Sequence, residues 1–272
     1  MTTTRKPWNR EELVLVMNLY CRIPFGRQHS RAPEVIELAQ VLGRTPGSIA
    51  MKLNNLTSLD PEEKARGVAG LPGASQLDQQ MWDEFHADWE GMAAESELLW
   101  EKMVRHHAAF PSVEGERSAK SARSLPEGLP ESFPTGPTES KRTVKVRLAQ
   151  NFFRRTVLAA YHGCCCVSDN PVPELLIASH ILPWAAFPEH RANPSNGLCL
   201  SHIHDAAFDK GLITFDETRA LVLSKRLKDY LPNEAIRVNF ASYEGSALRV
   251  PEKFFPDEKF LAHHRENIFL DR

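Results

Sequence analysis

The stretch that decides the fold is Cys166–Asp216, CVSDNPVPELLIASHILPWAAFPEHRANPSNGLCLSHIHDAAFDKGLITFD. Within it, LLIASHI (175–181) and NGLCL (196–200) are short apolar runs bounded by Pro and Asn, the pattern of buried strands. HIHDAAFD (202–209) follows directly and has helical periodicity. Strand, strand, helix is a ββα unit. It puts His180 on or just after the first strand, Asn196 at the head of the second, and His204, Asp205 and Asp209 on the helix.

Those residue types suit hydrolysis of a phosphodiester. The reaction needs a water activated for in-line attack and a cation to stabilise charge on the phosphate and the leaving oxygen. Imidazole titrates near neutrality, which makes His180 the natural base. Asp205 and Asp209 stand four apart, so one helical face presents two hard oxygen ligands to a single Mg²⁺ or Mn²⁺. Zn²⁺ and Ni²⁺ suit this oxygen set less well. The amide of Asn196 can hydrogen-bond backbone groups and hold the His180 segment in place. Arg191, between the strands, either contacts the scissile phosphate or is plain surface.

Upstream, Lys141–Tyr161 (KRTVKVRLAQNFFRRTVLAAY) holds six Lys and Arg residues and no acid, so it reads as a basic helix leading into the site. With Val146, Phe153, Val157 and Leu158 inward, Arg154 and Arg155 are placed for phosphate contact, although such faces are often only solvated. Residues 106–140 carry many Pro, Ser and Gly and too little apolar surface to offset ordering, and they read as a flexible linker. The expected class is therefore α+β, with an all-helical domain at 1–105, the linker at 106–140, and a ββα domain with flanking helices and a β-hairpin at 141–272.

The N-terminal side begins with Asn9 and Glu12, spaced as a capping box before the stripe Leu13, Val16, Met17 and Tyr20. A second helix starts at Pro33, with Val35, Ile36, Ala39 and Leu42 on one face, and stops at Gly43. Thr45 and Pro46 open a third, with Ile49, Leu53 and Leu56 buried. Helix, tight turn, helix is the helix-turn-helix pattern, and Ser48, Lys52 and Asn55 would form its groove-reading face. An ordinary three-helix bundle accounts for the same pattern. Residues 77–104 read as two further helices, rich in acid and Trp, with no assigned chemistry.

Composition sets outer limits. A formal charge of −2 argues against indiscriminate coating of nucleic acid, so local basic patches matter more than the total. No run is apolar enough to span a bilayer, and the start MTTTRKPWNREE lacks a secretory apolar stretch, so no membrane partner and a cytoplasmic location are expected. Five cysteines, three of them adjacent, do not make a disulfide framework; Cys166 and Cys199 are expected as buried thiols.

The strings ASHI (178–181), NGLCL and HDAAFDKGLITFD (204–216) resemble the HNH endonucleases of the ββα-metal superfamily, specifically a subgroup found among restriction enzymes. RLAQNFFRRTVLAAY (147–161) and FLAHHRENIF (260–269) are similar to that subgroup's flanking segments, so the resemblance covers about residues 145–270. It implies that His180 is the general base, Asn196 the middle asparagine, and Asp205 the occupant of the third position, where the motif has histidine. Aspartate can still ligate a metal, and His204 could substitute were the helix rotated. Asp209 matches a ligand one turn on that some members, such as the colicin nucleases, use. Paired CxxC zinc knuckles carried by many relatives are missing. LAQVLGRTPGSIAMKL (38–53), with Trp8 before the first helix, resembles Myb/SANT-like domains over about 50 residues.

The resemblance thus implies a metal-dependent DNA endonuclease acting on double-stranded DNA, with restriction of foreign and perhaps base-modified DNA as its purpose. A double-strand cut by one such site per chain is easiest for a homodimer. Two other readings stand beside it: a DNA-binding regulator with a decayed nuclease unit, suggested by Asp205, and a protein-interaction or sensing role for residues 1–105.

Overall fold

A computed structural model of the chain describes residues 6–109 and 141–270. They group into two compact units whose boundary falls between Ala149 and Gln150. Helix continues to Ala109, so residues 106–109 of the expected linker are helical, and 110–140 lie outside the described residues. No described helix is long and apolar enough to cross a membrane.

The first unit is all helical: α1 (Arg10–Arg22), α2 (Pro33–Leu42), α3 (Pro46–Thr57), α4 (Pro61–Ala65), α5 (Gln76–Ala87) and α6 (Trp89–Ala109). Its helix starts are those the local chemistry dictates. Asn9 accepts from the Glu12 backbone N–H and Glu12 accepts from Asn9 in return, closing the capping box of α1. Gly43 adopts φ 60° and ends α2, and Thr45 caps α3 ahead of Pro46. Glu12 is nearly buried, and burial alone would favour its neutral form. Arg44 at 2.6 Å and Lys6 at 2.8 Å outweigh that and hold the carboxyl below its ordinary range. Trp8 lies against the Arg44 guanidinium at 3.8 Å, tying the segment before α1 to the α2–α3 turn.

The acid-rich stretch balances charge on α1. Arg10 pairs with Glu84 at 2.7 Å and also with Glu95, Arg22 pairs with Glu97, and Asn18 donates to Ser96 at 2.6 Å. α3 departs from the expected arrangement. Lys52 is buried with its ammonium 2.8 Å from both oxygens of Asp78 on α5, and Asn55 is buried as well. Ser48 is partly buried and turns its hydroxyl back to the Thr45 carbonyl at 2.8 Å. Only Gly47 on α3 is fully exposed. The face expected to read a groove is thus covered, because α5 packs over α3 and supplies the counter-charge that makes burial of a lysine tolerable.

Helix α7 (Lys141–Ala160) runs across the unit boundary; in the second unit it buries Phe152, Phe153 and Val157 and partly covers Leu158, while Val146, before the boundary, is also only partly covered. Strand β1 (Leu176–His180) pairs antiparallel with β2 (Gly197–Ser201), from Leu176 opposite Ser201 to His180 opposite Gly197. Helix α8 (His202–Asp209) leaves β2 without a loop. The hairpin of β3 (Ile213–Phe215) and β4 (Leu221–Leu223) follows, then α9 (Lys225–Lys228), α10 (Glu234–Asn239) and α11 (Glu258–Asn267). Phe153, Val157, Leu176, Leu198, Leu200, Phe208, Phe215 and Leu261 belong to one core around these elements. The class is α+β, and the ββα unit sits where the sequence puts it.

Candidate active site

His180 ends β1, opposite Gly197. Its ring lies flat on Phe153, with centroids 4.0 Å apart and planes 11° from parallel, and Trp184 meets it edge-on at 5.2 Å. Nε2 is 2.8 Å from the carbonyl oxygen of Arg191. A carbonyl can only accept, so Nε2 carries the proton of the neutral ring and Nδ1 holds the lone pair. Burial pushes the imidazole below its ordinary pKa, opposed by the Arg191 carbonyl and by the charge of Asp205. The ring is therefore kept neutral, with its basic nitrogen fixed in orientation.

The close fit of α7 to the strand pair depends on Gly197. A Cβ there would stand 2.4 Å from Val157 Cγ2 and 3.0 Å from Phe153 Cζ and the Pro194 carbonyl. Arg154 braces the same junction from α7, donating to the Leu176 carbonyl at 3.0 Å. Its guanidinium is thus partly committed to the strand. Arg155 is exposed.

Asn196 is buried. Its Oδ1 accepts from the Leu182 N–H at 2.8 Å, and its Nδ2 donates to the His190 carbonyl at 3.1 Å. It clamps the two ends of the loop that joins the strands, including the segment whose carbonyl accepts from His180.

Asp205 and Asp209 are on α8, one turn apart. The Asp209 carboxyl is held above its ordinary pKa, first by withdrawal from water and then by the negative charge of Asp205, with Lys210 opposing. Asp205 thus acts electrostatically on both His180 and Asp209, which marks the three as one neighbourhood. Among the described residues, no group of three or more His, Cys, Asp and Glu side chains is arranged to hold a metal. A closed tetrahedral site of the zinc kind is not formed here. The donor chemistry is instead two adjacent carboxylates that repel one another.

His204 departs from the expected ligand role. It is buried between Phe240 and Tyr243, with Nε2 2.8 Å from the Asn239 carbonyl and Nδ1 2.7 Å from Ser201 Oγ. Both nitrogens are occupied by protein partners, so neither is available to a metal. The same Nδ1 lies 3.6 Å from the Cys165 thiol. Burial opposes ionisation of Cys165, but hydrogen bonds from His204, Ser168 and nearby backbone outweigh it and bring the thiol down to about 6. All five cysteines are free; Cys166 and Cys199 are buried, and burial pushes the Cys199 thiol up to about 12.

Arg191 donates from Nε to the Trp184 carbonyl at 2.8 Å, and its guanidinium lies over the Trp184 ring at 4.9 Å. Sequence reasoning assigned no part to Phe153, Trp184 or the Arg191 backbone. Phe153 was legible only as a core residue, and nothing local marks a particular carbonyl as the partner of a histidine eleven residues away.

The second unit thus brings together a strand pair, an oriented imidazole at the end of β1 and two carboxylates on α8. Residues 165–216 match the HNH endonuclease family, a span holding both strands, α8 and β3. That segment is similar to the HNH endonuclease family, which supports a nuclease of the HNH type in the second unit. No curated protein sequence matches the chain.

Proposed function

We propose that this protein is a metal-dependent DNA endonuclease in which His180 is the general base. The observation that carries the reading is the His180 imidazole, locked by its Nε2–H to the Arg191 carbonyl beside the carboxylates of α8. Nδ1 accepts the proton of the attacking water, and the Arg191 carbonyl stabilises the imidazolium that results. Phe153 and Trp184 fix the ring plane, and Asn196 fixes the loop that supplies the carbonyl. Asp205 favours the charged imidazole electrostatically.

Asp205 and Asp209 fit a hard divalent cation, Mg²⁺ or Mn²⁺, which takes oxygen ligands and keeps open positions for water and phosphate. When bound, such a cation stabilises charge on the phosphate and the departing oxygen. Arg155 faces solvent on α7, where a phosphate backbone can reach it. Restriction of foreign DNA, modified or not, is the biological role we attach to this activity.

The test is incubation of supercoiled plasmid with Mg²⁺ or Mn²⁺, using unmodified, methylated and hydroxymethylated DNA. Nicked or linear product that is lost in His180→Ala is expected, with rates falling by roughly 10²–10⁴-fold. Full activity in that variant would overturn the assignment. For the first unit, the burial of Lys52 and Asn55 favours a protein-interaction or sensing role over direct groove reading.

A further inference from the structure

The loop after α8 opens onto a cleft of about 260 Å³ lined by Lys210, Leu212, Arg226, Leu227 and Tyr230. It begins one residue beyond Asp209, and Lys210 is close enough to oppose the raised pKa of that carboxyl. The Ser224 N–H bonds the Leu212 carbonyl at 2.9 Å, fixing α9 against the end of the α8 turn. The cleft therefore has a built floor, with Leu227 buried beneath it.

Its lining pairs two cations with an aromatic ring. Several cations of this unit are held in ion pairs: Lys228 with Glu244, Arg237 with Glu234, Arg249 with Asp169 and Arg265 with Glu258. Lys210 and Arg226 are exposed and form no salt bridge with any described residue. Beside them Tyr230 leaves 61% of its surface in water, the most exposed of the large hydrophobic residues among those described. Two exposed cations and an exposed aromatic face suit a nucleotide: phosphate on the cations, base on the ring. Enclosed sites for drug-sized molecules span roughly 300–1,000 Å³. This smaller cleft suits one unit of a longer strand.

We propose that this cleft is a nucleotide subsite that holds the DNA strand next to the scissile phosphate, with Lys210 and Arg226 on a backbone phosphate and Tyr230 stacked on a base out of the duplex. The proposal rests on the nuclease reading for its substrate, but its test does not require cleavage. Binding of a fluorescent duplex carrying a short single-stranded overhang is measured for the full-length protein in EDTA, across a salt series.

Lys210→Gln with Arg226→Gln is expected to lower the slope of log affinity against log salt by about one to two units. Tyr230→Ala is expected to weaken binding about tenfold, and Tyr230→Phe to keep it. All three positions are exposed, so folding is preserved, and unchanged melting temperatures check that. Unchanged affinity and slope in the variant that combines Lys210→Gln, Arg226→Gln and Tyr230→Ala would overturn the subsite, and so would equal losses in Tyr230→Phe and Tyr230→Ala. If binding responds as expected while plasmid is never cut, the subsite stands and the nuclease reading falls. If cutting depends on His180 while binding ignores the three substitutions, the reverse holds.

Discussion

At the scale of single residues, the site turns on one imidazole kept neutral by burial. Because the folded pKa of His180 lies below the ordinary value of about 6.5, the basic form persists as pH falls past neutrality. The acidic limb of kcat/KM in a cleavage assay is expected below that value, and a limb above pH 7 would contradict it. Asn196→Ala removes two buried hydrogen bonds and strands the Leu182 N–H, so a loss of about 2–4 kcal/mol is expected in urea unfolding. Binding of Mg²⁺ or Mn²⁺ should raise the melting temperature in proportion to ln(1 + [L]/Kd), about 2.7 kcal/mol at a hundredfold excess over Kd. Asp209→Asn is expected to abolish that rise, and chelation to reverse it. Spacing alone marks His180 and the two aspartates as candidates. The fate of His204 was not, since it is decided by Asn239, thirty-five residues away.

Elements were legible where their signals are local. The capping box at Asn9, the left-handed Gly43 and the Thr45–Pro46 start act within a turn of the chain, and each appears where expected. Which face of α3 is buried is not a local matter. Its polar positions alternate as an exposed face would, and only the arrival of Asp78 from α5 turns Lys52 into a buried charge. Lys52→Ala should therefore cost about 3–5 kcal/mol by leaving the buried Asp78 carboxylate with only Ser75 as a partner, while Lys52→Met combined with Asp78→Leu recovers part of it, because that pair of changes also opens the Ser75–Asp78 capping box of α5. Chemical denaturation measures both. The same variants are expected to leave the salt dependence of DNA binding unchanged, which a groove-reading lysine would not.

For the molecule as a whole, stability is tied to pH through a second histidine. His264 on α11 is buried, stacked on Phe208 with centroids 3.7 Å apart, and bonded to the Phe208 carbonyl at 3.0 Å and to Thr214 Oγ1 at 2.9 Å. Burial brings it down to about 4. The unfolded chain then takes up the proton first, near 6.5, so stability is complete above that pH and is lost as pH falls toward 4, by about 3 kcal/mol. The melting temperature of wild type is expected to drop between pH 7 and 5 by more than that of His264→Gln. This coupling of α11 to α8 and β3 was foreshadowed only as a similar flanking segment, because a pairing across some fifty residues leaves no periodicity to read.

Gly197 gives the nuclease unit a vulnerability unrelated to acids, bases or ligands. The ring under the imidazole is seated with nothing projecting from the opposite strand, so a lone methyl at that spot would press first on Val157 and then on Phe153 and disturb the surface on which the imidazole rests. Silencing such an enzyme would then require no change to any reacting group, only the filling of an empty corner behind it.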